Sequence, residues 1–376
     1  MASIAKRPDG SWRARYRGPD GKERSKHFGR KLDAQRWLDS VASQVVTGSW
    51  TDPERSRITL ATWSDQWLAG QLQLKESTRV RYGTLLRVHV LPTWGTVKLT
   101  DVSHTEVSAW VQRIAAGGSS ASTVRQAHRV LSLILDVAVR DGRLPKNPAS
   151  GVRLPRAHVP ERVFLTHDQV DALAQAACQV GGTGDGLVVR TLAYTGLRWG
   201  ELAALRVGRL DLMRRRLEVA EAVTEVGGRA VWGTPKTHAT RVIAVPRSLV
   251  DDLAAQVAGR APTDLAFTAP RGGVLLLRNW RRNVFVPAIR DAGLEGLTVH
   301  GLRHTAASLA ASAGASVRHV QAMLGHASPV LTLSTYQHLF DDDLDAVADR
   351  LDAAADRARQ DRADQVRTSA SVTQLG

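Results

Sequence analysis

Apolar and polar residues change their spacing several times along this chain, and each change predicts a different element. From Trp12 to Arg17 they alternate. Trp12, Ala14 and Tyr16 fall on one side of a strand; Arg13, Arg15 and Arg17 fall on the other. Asp9-Gly10 and Asp20-Gly21 flank this run as hairpin-turn signals. Residues 1–31 therefore predict a three-stranded sheet with one arginine face, the kind of surface that suits a DNA groove. From Leu32 to Val46 the spacing becomes helical, with Trp37, Leu38 and Val41 inward and Gly48 as the stop.

Residues 59–142 carry helical periods only. Leu60, Trp63, Trp67 and Leu68 form one stripe, and a second helix is predicted over Ser77–Val90, ended by Pro92. Ser103 and Glu106 form a capping box ahead of Val107, Trp110, Val111 and Ile114. A fourth helix, from Ser122 to Arg140, turns Val124, Leu131, Ile134, Leu135 and Ala138 inward. Four such helices predict a compact bundle. A Pro/Gly-rich polar linker follows, over Lys146–Pro155.

A third domain opens near Arg162, where Thr166 and Gln169 form another capping box. The glycine-rich run 181–186 lacks the Gly-Lys-Ser/Thr of a phosphate loop and reads as a plain loop. Helical spacing resumes over Leu187–Tyr194 and Gly200–Leu205. Strands are predicted at Leu217–Val223, Ala230–Trp232 and Arg241–Val245. Helices return over Arg278–Ala292, Val299–Ala313 and Val317–Met323. Ser328 and Pro329 then make a helix start, as N-cap and first helical residue, with Tyr336 two turns on. Beyond it Leu344, Val347, Leu351 and Ala354 recur at helical spacing in an acidic tail, which either docks on a neighbouring subunit or packs on its own domain.

The division expected is thus 1–50 (sheet plus helix), 51–58 (linker), 59–145 (helical bundle), 146–161 (linker), 162–340 (largest domain) and 341–376 (helical tail). The fold class is multidomain, mainly α with small antiparallel β-sheets.

Composition narrows the partners. Of the 376 residues 43% are hydrophobic, enough for real cores, yet no run approaches the roughly 20 apolar residues that cross a bilayer. The N-terminus is basic and has no secretory h-region, so a cytoplasmic protein without a membrane partner is expected. Cys178 is the single cysteine, so no internal disulfide or cysteine-based zinc cluster forms; it reads as a small core residue. The net charge of +15 favours an acidic polymer. The excess is concentrated in residues 1–31, at +7, whereas the tail from Asp341 carries −4. Arginine outnumbers lysine 43 to 8, and Lys236 is the only lysine in residues 147–376. A lysine can release a proton when its pKa is lowered, which arginine cannot near neutral pH.

The chemistry concentrates in five short pieces: Thr195–Leu202, Thr234–Thr237, His300–His304, Leu324–His326 and Ser334–Tyr336. Arg198 and Glu201 share a helix face, and His300 and Arg303 lie one turn apart. His300 and His304 at i, i+4 could hold a metal, but no cysteine or acidic residue completes a zinc motif and Arg303 would repel a cation. No metal site and no cofactor are expected. Guanidiniums bind a phosphate and its developing charge; a tyrosine can attack phosphorus; lysine and histidine can move protons.

The order Arg…Lys…His-x-x-Arg…His…Tyr, closing with His326 and Tyr336 ten residues apart, resembles the tyrosine recombinases, specifically phage-type integrases. The strong match covers roughly residues 190–340; the basic sheet and helical bundle match by architecture. Gly301 stands where the family often has Asp. The resemblance implies a basic domain for arm-type DNA sites, a bundle for core-type sites and a catalytic domain. It implies that Arg198 and Arg303 hold the scissile phosphate, that His326 adds a hydrogen bond, and that Tyr336 attacks to give a 3′-phosphotyrosine. Lys236 would protonate the leaving 5′-hydroxyl, and His300 would help take the tyrosine proton, with Glu201 in support. Free tyrosine has a pKa of about 10 and needs such neighbours. The implied partners are double-stranded DNA carrying attachment sites and three further copies in a homotetramer. A DNA-bending host factor and a directionality factor are further partners the resemblance allows. Arg13, Arg15, Arg17 and Lys26 are the expected DNA contacts of the N-terminal sheet. The alternative readings are a sequence-specific DNA-binding regulator, another tyrosine recombinase, or a type IB topoisomerase.

Overall fold

The computed structural model describes residues 2–48, 50–52, 54–156, 163–235, 240–336, 348–349, 351–360 and 362. It divides into two compact units, residues 1–160 and 161–376.

In the first unit β1 (Ser3–Lys6), β2 (Trp12–Arg17) and β3 (Glu23–Phe28) form an antiparallel sheet in that order. α1 (Lys31–Val46) covers the apolar side of β2, where Ala14 and Tyr16 are buried with Ala34, Leu38 and Val41. The strand alternation thus decides which side takes the helix and which keeps the arginines.

The remainder of this unit is helical: α2 (Leu60–Ala69), α3 (Glu76–Leu85), α4 (Leu91–Trp94), α5 (His104–Ala116) and α6 (Ala121–Arg140). Ser103 and Glu106 cap α5 reciprocally, as their spacing predicts. α6 buries Val124, Leu131, Ile134 and Leu135 against Leu60, Leu99 and Trp110. Pro92 does not end its helix. A π turn over Leu86–Val90 carries the chain from α3 into α4, with Pro92 in the new first turn. A proline ring clashes with the carbonyl four residues back, and the widened turn relieves that clash.

In the second unit α7 (His167–Gly181) opens on the Thr166–Gln169 capping box and meets α8 (Thr183–Thr195) across Gly182 alone. The expected glycine loop is therefore a helix-to-helix joint. Gly182 has φ +105, open to glycine. A Cβ on Gly186 would stand 2.7 Å from the Ala174 carbonyl oxygen, so this glycine lets the two helices touch.

α9 (Trp199–Ala203) leads to β4 (Leu210–Asp211), β5 (Arg216–Val219), β6 (Ala222–Val226), β7 (Arg229–Gly233) and β8 (Arg241–Ala244). β4, β5 and β8 form one antiparallel sheet in that order, and β6 pairs with β7 in another. The single strand expected over Leu217–Val223 is two strands, because the chain changes sheets at Ala220-Glu221. Leu217 and Val219 face the core beside Ile243, while Val223 pairs with Trp232.

α10 (Arg247–Val257), α11 (Leu277–Trp280), a π turn over Arg281–Phe285 and α12 (Val286–Asp291) follow, then α13 (Val299–Ser312), α14 (Val317–Leu324) and α15 (Pro329–Tyr336). The core gathers Leu173, Val189, Leu202, Leu217, Leu249 and Leu302. A smaller apolar nest of Ala307, Val320 and Leu324 receives Tyr336. Residues 351–360 are helical with Leu351 exposed; Leu344 and Val347 lie outside the described residues. Among the described residues no helix is long and apolar enough to cross a membrane.

Candidate active site

α8 ends at Gly196, whose left-handed backbone (φ +65) turns the chain into Leu197 and Arg198. Arg198 is the N-cap of α9, and Glu201 stands at the third helical position. The Glu201 carboxylate accepts from the Arg198 backbone N–H at 2.9 Å and from its guanidinium at 2.8 Å. It also accepts twice from Arg241 of β8, at 3.0 and 2.6 Å. Glu201 is only 3% exposed. Burial alone would raise its pKa; the hydrogen bonds and charge of Arg241, then of Arg198, outweigh that and hold the carboxyl below its ordinary range.

Arg303 comes from the middle of α13 and is buried. It donates to the Gly196 carbonyl at 2.5 Å and to the Leu324 carbonyl at 2.6 Å. The guanidinium therefore ties together the C-terminal ends of α8 and α14, where unpaired carbonyls favour a cation. Desolvation, then the neighbouring Arg198, lowers its pKa to about 9, partly opposed by Glu201.

α14 stops at Gly325, again left-handed (φ +64), where a Cβ would stand 2.8 Å from Cδ of Arg241. His326 follows at once. Its Nδ1 lies 2.9 Å from the Thr332 hydroxyl of α15. Burial, then the charge of Arg303, Arg198 and Arg241, lowers its pKa to about 4, so the ring is neutral at pH 7. Ser328 Oγ accepts from Val330 N–H at 3.2 Å, and α15 runs from there to Tyr336. Tyr336 is 1% exposed. Its ring lies parallel to that of His326 at 6.4 Å between centroids, and its hydroxyl is 2.7 Å from Nδ1 of His304. His300 stands edge-on to His304, centroids 5.0 Å apart.

Of the residues singled out in the sequence, Arg198, Glu201, Arg303, His326 and Tyr336 come together in this cluster. His300 is at its exposed rim, one turn from His304. Lys236 lies outside the described residues. Residue type and order do not single out two further members of the cluster: Arg241, at the start of an apolar strand, and His304, whose spacing from His300 suggests only a metal pair. Nothing in the sequence signals Arg241: the burial of Glu201 that calls for a second cation emerges only in the fold. Among the described residues no group of three or more metal-ligating side chains is present.

In the first unit Arg13, Arg15 and Arg17 share the side of β2 away from Ala14, with His27, Ser25 and Glu23 opposite them on β3. Arg15 pairs with Glu23 at 3.3 Å. Lys26 does not join this face. It is in register with Ala14, which sets it on the other side of the sheet, and its ammonium lies 5.5 Å over the Phe28 ring.

Comparison with known proteins agrees in all three regions. Residues 163–343 match the model of the phage integrase family. Residues 2–47 match the phage integrase N-terminal domain, and 59–115 the phage integrase N-terminal SAM-like domain. A putative prophage phiRv2 integrase of Mycobacterium tuberculosis is 30% identical over 345 residues, 88% of this chain and 89% of the relative. A tyrosine recombinase XerC of a Mycobacterium species is 31% identical over 254 residues, 64% of this chain and 80% of the relative. The fold is similar to that of the Tn1549 transposon integrase solved with transposon right end DNA. The TM-score is 0.69 at 21% identity, over 78% of this chain and 99% of that one. On these matches over nearly the whole length, the chain belongs to the phage integrase family and is a tyrosine recombinase, a site-specific DNA strand transferase.

Proposed function

We propose that the cluster around Arg303 is the strand-cleavage site, and that Tyr336 is its nucleophile. Three guanidiniums, those of Arg198, Arg241 and Arg303, converge with one carboxylate, that of Glu201. The excess positive charge matches a phosphodiester, which gains negative charge as the nucleophile adds. Two of the five N–H groups of Arg303 are spent on backbone carbonyls, and the others serve the phosphate. A neutral His326 whose Nδ1 accepts from Thr332 carries its proton on Nε2, and this N–H donates a hydrogen bond to a non-bridging oxygen. Tyr336 attacks phosphorus, leaving a 3′-phosphotyrosine, and Lys236 protonates the departing 5′-hydroxyl. His300 assists at the tyrosine, and Glu201 fixes the arginines. The covalent link keeps the bond energy, so rejoining needs no ATP, and the guanidiniums do the charge neutralisation that magnesium does in other phosphoryl transfers.

The remaining assignments extend this reading. Residues 1–50 bind arm-type sites through the face of Arg13, Arg15 and Arg17. Residues 59–145 grip core-type sites, residues 162–340 cut, and the linkers 51–58 and 146–161 join them. Two DNA-binding modules on one chain raise the effective concentration of each for its site. Four protomers on paired attachment sites integrate or excise DNA, the tail 341–376 joining subunits. A bending protein and a directionality factor are the expected accessories, and the bacterial cytoplasm at the nucleoid is the expected place of action.

The observation that carries the proposal is the convergence of Tyr336, Arg303, His326 and the Arg198–Glu201–Arg241 trio from five separate segments. The test is a nicked suicide duplex bearing an attachment core, run on a denaturing gel. The wild type is expected to give a covalent protein–DNA adduct that Tyr336→Phe does not. An adduct that survives Tyr336→Phe overturns the assignment, and no adduct from the wild type favours the DNA-binding regulator.

A further inference from the structure

We propose that His304, the residue after the His-x-x-Arg segment, is the catalytic group that receives the Tyr336 proton. The inference rests on the reading of Tyr336 as nucleophile and adds the base that reading leaves to His300. Nδ1 of His304 lies 2.7 Å from the Tyr336 hydroxyl oxygen, inside the 2.6–3.2 Å reach a general base requires. The two rings are inclined at 56° with centroids 5.6 Å apart. The contact joins α13 to the last turn of α15, 32 residues on.

The placement of His304 is dictated locally. α13 begins at Val299 behind the Thr298 cap. Arg303 enters the interior to reach Gly196 and Leu324, and Leu302 and Thr305 are buried on either side. His304 is half-buried, so one edge of its ring faces the tyrosine. His300, one turn earlier on the same helix face, meets it edge-on. Tyr336 is held by Ala307, Val320 and Leu324, which fixes its ring while His304 fixes its hydroxyl. Among the described residues, the Glu201 carboxylate is engaged by Arg198 and Arg241 and Nδ1 of His326 by Thr332, whereas Nδ1 of His304 faces the tyrosine oxygen directly.

Neutral His304, with its own proton on Nε2, accepts the hydroxyl hydrogen bond at Nδ1. As the tyrosine oxygen bonds to phosphorus, its proton moves to Nδ1 and His304 becomes an imidazolium. The bond from phosphorus to the 5′-oxygen breaks, and that oxygen takes its proton from the acid, Lys236 in the reading above. In rejoining, the incoming 5′-hydroxyl attacks phosphorus, the tyrosine oxygen leaves, and it recovers its proton from Nδ1 of His304. His300 is a positioning residue for the imidazole, acting through His304.

The test is single-turnover adduct formation on the suicide duplex by the full-length protein, comparing wild type, His304→Ala and His304→Asn. Asparagine offers an oxygen near the position of Nδ1 but takes no proton. Both variants are expected to bind DNA as the wild type does and to form adduct about 10²–10⁴-fold more slowly. The same DNA with a 5′-bridging sulfur, whose thiolate leaves without an acid, is expected to restore Lys236→Ala but neither His304 variant. Adduct formation by His304→Asn at the wild-type rate overturns the proposal, as does rescue of His304→Ala by the sulfur substrate. If His304→Ala loses its melting transition, His304→Asn decides alone. A wild type that forms no Tyr336-dependent adduct overturns the reading of the site and this proposal with it; an adduct unaffected by the His304 changes overturns this proposal only.

Discussion

Glu201 holds Arg241 through two hydrogen bonds, of 3.0 and 2.6 Å, from an element 40 residues further along the chain. The same carboxylate holds Arg198. Arg241 also donates to the Met323 carbonyl at 3.1 Å, next to the turn that delivers His326. One strand residue therefore braces both the first arginine and the segment carrying the histidine.

Arg241→Ala is expected to slow adduct formation about 100-fold while leaving DNA affinity within a few-fold, because it displaces groups that must be placed to within an ångström. Single-turnover rates measured beside equilibrium binding separate the two. Equal losses in binding and rate would show a contact to DNA in place of a bracing role.

Glu201→Gln leaves two guanidiniums without their shared counter-charge and is expected to cost about 3–5 kcal/mol of stability. The carboxyl has a folded pKa below its ordinary value. Its contribution is therefore complete above the ordinary carboxyl range and is lost as pH falls through the lower, folded value. Denaturation series at pH 7 and at descending acid pH should show the wild type converging on the variant. A gap that stays constant down to pH 2 would contradict the ion-pair account.

His326 has a pKa of about 4 against an ordinary 6.5. Between those values the unfolded chain binds a proton that the folded protein refuses. Stability from this group is complete above about pH 6.5 and declines as pH drops toward 4. Imidazole resonances in a nitrogen-15 titration should show His326 neutral at pH 5.5, still as one tautomer. A midpoint near 6.5 would mean the neighbouring guanidiniums do not act on it.

Gly186→Ala puts a methyl group 2.7 Å from the Ala174 carbonyl oxygen and 3.2 Å from Cβ of Cys178. Both neighbours are helix positions with little room to give, so a loss of about 1–3 kcal/mol is expected in chemical denaturation. Gly184→Ala, on the same turn, meets only the Gln256 side chain at 3.4 Å and should cost markedly less.

Much of this was legible in the sequence because it depended on local rules. The alternation at Trp12–Arg17 fixed the buried side of β2 and the arginine side at once. The capping boxes at Ser103 and Thr166 fixed two helix starts, and Ser328-Pro329 fixed a third. What escaped depended on distant packing. Residues 181–186 look like a flexible loop until Ala174 is known to lie against Gly186. Leu217–Val223 looks like one strand until its halves are seen to pair with Ile243 and Trp232. The chemical set was readable as far as each residue announced itself by type and order. Arg241 meets Glu201 and Met323, 40 and 82 positions away, and His304 meets Tyr336, 32 positions away; no spacing rule reaches so far.

The two π turns, Leu86–Val90 and Arg281–Phe285, each precede a proline, Pro92 or Pro287. Such a turn houses one amino acid more than an ordinary one. Excising a single codon at either place, together with the proline's replacement by alanine, would let an unbroken α-helix form. Every side chain beyond it would then keep its angular heading, whereas a deletion one turn earlier would swing the downstream stripe by about 100°. These two places are thus where the chain can lose a residue without scrambling the interior.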